Sequence, residues 1–164
     1  MTETTLTPSR LWKQMTLDQR IRAAHAFWED PEATDDQVQA AFLIAQQKKF
    51  RPKTVIGLDL DRKAKHLATV AGVTDQIAAR ALIVYHLAEQ RPMMGAFLDA
   101  LGIAHENGLI QDDEAKPDAE KIGPAAARIA AQFPKDDVRI YFSTLVCQDR
   151  ETWGPLQPEI DKLD

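Results

Sequence analysis

The residues of this sequence that could do acid–base, nucleophilic or metal chemistry are four histidines, one cysteine and a scatter of carboxylates. His86 lies in the most apolar stretch, Ile77 to Ala88, where a buried imidazole must find a hydrogen-bond partner. His105 and Glu106 stand side by side further on, with Asp112 and Asp113 behind them. With His86 they form a set of nitrogen and oxygen donors that a divalent metal could take. It is not the helical zinc-protease motif, because position 109 is Leu109, Asn107-Gly108 is a turn, and no two histidines stand four apart. The simpler expectation for His86 is a hydrogen-bonded core side chain.

Arg51 and Arg91 each precede a proline, at the end of one helix and the start of the next. A cation there interacts with the exposed carbonyls of the helix it ends, worth about 0.3–1 kcal/mol, and that structural role is favoured. The functional alternative adds the free amides of the following helix to the guanidinium and makes an anion site. Met93 and Met94, with His105 and Asn107, form a candidate partner-binding set, although methionines fill core gaps more often than they make adaptable surfaces. Cys147 has no basic neighbour in sequence to lower its pKa and reads as packing. Ser9 and Ser143 lack a nucleophile elbow, the seven glycines form no phosphate loop, and no cofactor is expected.

The elements that must position these residues belong to one ordinary globular domain, residues 1–164, by length and by its 45% hydrophobic content. No apolar run approaches the roughly 20 residues of a membrane helix, and residues 1–6, expected to be disordered, lack a signal-peptide layout. A cytoplasmic protein without a membrane role is expected. The net charge of −5 argues against a domain-wide nucleic-acid footprint. Between positions 48 and 66, however, seven basic residues (Lys48, Lys49, Arg51, Lys53, Arg62, Lys63, Lys65) face only Asp59 and Asp61. Asp59 with Lys63 and Asp61 with Lys65 stand at i, i+4, which favours a solvated, self-neutralised helix face. A third reading has residues 48–65 bind nucleic acid or an acidic protein, although stacking aromatics for nucleic acid are missing apart from Phe50.

Apolar spacing predicts helices throughout. One over 17–29 is capped by Thr16. A second, starting at Thr34 with a capping box to Gln37, buries Val38, Ala41, Phe42 and Ala45. Pro52 starts a helix running to about Ala71, Thr74 and Asp75 start one reaching Glu89, and Pro92 starts one that Gly102 closes. Residues 104–118 read as a loop. Pro124 opens a helix, Asp136 or Asp137 caps the last strong one, and an irregular tail follows Trp153, which docks it.

Shifted by 40 positions, the sequence pairs Thr34, Asp35, Ala41, Arg51, Pro52, Leu58 and Asp59 with Thr74, Asp75, Ala81, Arg91, Pro92, Leu98 and Asp99. These are mostly helix starts and breakers, so a duplicated helical hairpin over 34–59 and 74–99 is expected, with a period of the length found in HEAT and armadillo arrays. The expected fold is all-α, either a helical-hairpin repeat (α-solenoid-like) or an orthogonal bundle of about 6–8 helices. The expected function is a non-catalytic interaction or scaffold module for a protein partner, binding through the groove between hairpins and the 104–118 loop. The alternative is a small metal-dependent or anion-binding enzyme using His86, His105, Glu106 and Arg91.

Overall fold

In the computed structural model, which describes residues 6–110 and 116–163, the chain is helical almost throughout. The disorder expected of residues 1–6 falls, Leu6 apart, outside the described residues, as do Asp112 and Asp113. Two compact units follow one another, one up to Ala88 and one from Glu89 on, where the sequence suggests a single domain. No described helix is long and apolar enough to cross a membrane.

The first unit holds α1 (Pro8–Gln14), α2 (Leu17–Glu29), α3 (Thr34–Lys48), α4 (Pro52–Ile56), α5 (Leu60–Thr69) and all but the last residue of α6 (Asp75–Glu89). α1 is too short to show a period and was not expected. Thr7 caps it by accepting from the Arg10 N–H, Pro8 starts it, and Leu11 and Trp12 are buried. α2 begins at Thr16 as expected, with a full capping box: Thr16 accepts from the Gln19 N–H and the Gln19 side chain accepts from the Thr16 N–H. α2 packs along α5, where the buried alanines 23, 24, 64 and 68 permit close approach.

The box expected at Thr34 and Gln37 does not form. Thr34 donates to the Pro31 carbonyl, and the Gln37 amide donates to the carbonyls of Phe27, Trp28 and Asp30. Those carbonyls lie at the end of α2 beyond its regular ladder, Phe27 and Asp30 each also accepting one backbone N–H, and Gln37 serves them in place of a cap on α3 itself. The buried face of α3 also differs from expectation: Asp36, Ala40, Ala41, Ile44 and Ala45 are inside, while Val38 and Phe42 are 36% and 55% exposed.

Both prolines break the helix before them, α3 ending in a left-handed Lys49. The helix expected over 52–71 divides, because Asp59 accepts from the Arg62 N–H and starts α5 anew. Its proposed counterpart, Asp99, lies inside a helix, and the boundary at Ala88 falls within the second copy. Thr34 with Thr74 and Pro52 with Pro92 fall at helix starts in both segments, whereas Asp59 and Asp99 do not correspond.

The second unit holds α7 (Arg91–Leu101), a hairpin of β1 (His105–Glu106) and β2 (Leu109–Ile110), α8 (Ala119–Gln132), α9 (Lys135–Gln148), α10 (Arg150–Trp153), a 3₁₀ turn (Gly154–Leu156) and α11 (Gln157–Asp161). Phe97 centres its core, with ring centroids 5.8 Å from Tyr141, 5.1 Å from Phe142 and 5.9 Å from Trp153. Gly102 ends α7 at φ 73° with the Ile103 N–H donating to Leu98, as expected. The expected irregular tail is instead helical, with Trp153, Leu156 and Ile160 all buried. Pro124 does not open α8 but lies inside it, because Asp118 accepts from the Glu120 N–H and starts the helix earlier. α9 starts after Pro134, with Asp136 and Asp137 in its first turn rather than at its cap.

Thr16→Ala should lower stability by about 1 kcal/mol. Thr34→Ala, which removes one exposed hydrogen bond and no cap, should cost about half of that or less, as read from urea unfolding of each variant.

Candidate functional site

Four of the residues singled out by type, Arg91, Met94, His105 and Asn107, meet where the hairpin lies on α7. Asn107 and Gly108 have φ of 52° and 90°, the two left-handed positions of a tight two-residue turn. A Cβ on Gly108 would stand 3.0 Å from Met94 Cβ and 3.2 Å from the Arg91 carbonyl, and one on Gly95 would stand 3.2 Å from His105 Cε1. Two glycines thus allow the turn to settle on the helix. Arg91 Nη1 donates to the Asn107 carbonyl at 3.0 Å.

His105 completes the latch. Its Nδ1 accepts from the Gly108 N–H at 3.0 Å, so the proton is on Nε2, which donates to Asp99 at 2.7 Å. Both ring nitrogens are committed, and neither offers a lone pair to a metal or to a substrate proton. The expected 104–118 loop is therefore an ordered hairpin up to Ile110. Met93 is fully buried in the core, which removes it from the partner-binding set, while Met94 is half-buried under Gly108. Glu106 and Asn107 are exposed.

His86 belongs to the first unit and is 3% exposed. Its Nδ1–H donates to the Leu82 carbonyl one turn back, and its ring meets Tyr85 edge-on. Burial pushes its pKa down to about 4. Among the described residues no three His, Cys, Asp or Glu side chains gather as metal ligands would. Arg51 is exposed ahead of α4, a helix of five residues. Cys147 is half-buried on α9.

The first unit presents a surface that the sequence did not reveal. Asp36, 6% exposed, accepts from Gln76 Nε2 at 2.7 Å and Arg80 Nε at 3.1 Å, tying α3 to α6. Beside this tie runs a groove of about 420 Å³ lined by Asp35, Gln39, Phe42, Leu43 and Gln46 of α3 and by Thr74, Gln76 and Ile77. Past its end come Lys48, Lys49, Phe50, Arg51, Lys53 and Ile56, all exposed. The expected neutralising pairs are not made. Asp59 pairs with Arg62, Asp61 pairs with His25, and Lys63 donates to the Ile56 carbonyl with its ammonium over the Trp28 ring. Near this corner His66 meets Phe50 edge-on, and its pKa is lowered by burial and then by Lys48 and Arg62.

Comparison of the chain with family models, with curated proteins and with solved structures returns no match.

Gly108→Ala should destabilise the fold by about 1–3 kcal/mol through left-handed strain, with the crowding against Met94 added, measured by thermal unfolding. For His86, the unfolded chain binds a proton between pH 6.5 and about 4 that the folded chain does not, so stability falls as pH drops through that window. From pH 7 to 5 the protein should lose roughly 2 kcal/mol more than a His86→Gln variant, read from urea midpoints at the two pH values.

Proposed function

We propose that the chain is a non-catalytic interaction module whose first unit binds a segment of a protein partner in the α3–α6 groove. The observation that carries this reading is Phe42, 55% exposed and flanked by the free amides of Gln39 and Gln46. An aromatic floor between side-chain amides suits a polypeptide, because the ring takes an apolar side chain while the amides pair with main-chain N–H and C=O groups. Val38 extends the stripe one turn further. The metal or anion enzyme built on His86, His105, Glu106 and Arg91 has less support, since the imidazoles and the arginine make bonds that hold their own chain in place.

A photoreactive benzoyl-phenylalanine at position 42 of the full chain, expressed in its own cells, tests the proposal. A discrete protein adduct is expected that disappears in the Val38→Asp background and is not formed from the same probe at position 121. Identical adducts from positions 42 and 121, or adducts to the chain itself alone, would overturn it.

A further inference from the structure

The groove is electrically lopsided. It begins at the exposed Asp35 in the first turn of α3, passes Phe42 and ends at Gln46, a run of about 16 Å of helix, and Lys48 and Lys49 follow where the helix ends. Beyond lie Arg51 and Lys53, with Phe50 and Ile56 40% and 48% exposed among them. Among the described residues no carboxylate pairs with Lys48, Lys49, Arg51 or Lys53, because the two nearest in sequence are taken by Arg62 and His25. Four exposed cations without a carboxylate partner among the described residues, interspersed in sequence with two half-exposed apolar side chains and following directly on the groove-lining turns of α3, make a stretch complementary to acid.

We infer that the segment bound by this unit is acidic at one end. It sets an apolar side chain over Phe42 and lays carboxylates on Lys48 and Lys49, about 10 Å further on at the end of α3, and on Arg51 and Lys53 at the start of α4. The inference rests on the protein-binding reading of the groove and adds the chemistry and direction of the partner. Asp35 at the opposite end disfavours the reversed orientation by repulsion. An anionic membrane fits less well: a helix lying in a bilayer interface sinks a whole apolar face, whereas Val55 of α4 is spent on the core and Phe50 is held against His66. Single-stranded nucleic acid wants successive ring faces for stacking, and Phe50 is the one aromatic side chain between positions 48 and 66.

The test uses the full chain and a fluorescent synthetic peptide carrying one phenylalanine followed, two helical turns later, by a run of glutamates. Saturable binding is expected, weakened at least about tenfold by Lys48→Glu with Arg51→Glu, by glutamine in place of the peptide's glutamates, or by serine in place of its phenylalanine. Lys121→Glu in the other unit leaves it unchanged. On binding, the His66 imidazole followed by NMR should titrate at higher pH, as carboxylates offset Lys48 and Arg62. Failure of the peptide to bind, binding indifferent to the charge reversal, or tighter binding of phosphatidylserine vesicles or oligothymidylate each overturns the inference. If the position-42 probe still captures a partner in that event, the interaction module stands and only the acidic chemistry is lost; if neither experiment succeeds, both fall.

Discussion

Asp36 sits in the first turn of α3 with its carboxylate almost sealed from water, and a buried charge is tolerable only when paired and hydrogen-bonded. Gln76 and Arg80 supply both requirements from α6. Once Asp36 must face α6, the rotation of α3 follows, since Ala40 and Ile44 stand one and two turns further in the same row and go inside with it. Val38 and Phe42 are then carried outward. The groove, its aromatic floor and the line of charge that leaves it at Lys48 all follow from the direction in which one carboxylate has to point.

The second unit shows a related economy in its polar residues. Arg91, Asp99 and His105 are the residue types from which catalytic sites are made, but here their hydrogen bonds hold a short hairpin against α7. A hairpin of two-residue strands has too few ladder bonds to persist alone. It is held by a histidine that joins a backbone amide to a carboxylate, by an arginine on a turn carbonyl, and by two glycines that let the backbone come close. The aromatic set around Phe97 gives α7 a fixed base on which this can happen.

The two units also divide the charge. Up to Ala88 the sequence carries 12 basic and 10 acidic residues, and from Glu89 on 8 and 15, so the acidic character belongs to the second unit. The first is close to neutral as a whole, and its cations concentrate at the α3–α4 corner. The positive charge there is a local imbalance, with neighbouring carboxylates drawn off to Arg62 and His25.

Much of this was legible in the residues themselves. The all-helical class, the breaks at Pro52 and Pro92, the caps at Thr16, Thr74 and Gly102 and the Asn107-Gly108 turn depend on backbone preferences that act over a few residues, and each appears where the sequence placed it. What only the tertiary structure decided is which of several locally adequate partners each side chain took. Gln37 left its own helix for the carbonyls of α2, Asp61 left Lys65 for His25, His105 left any ligand for Gly108 and Asp99, and α3 buried alanines in place of Val38 and Phe42. A helical period records that a face is apolar. Its orientation is settled by close approach of neighbouring helices and by the need to satisfy buried polar groups, and both depend on residues distant in sequence.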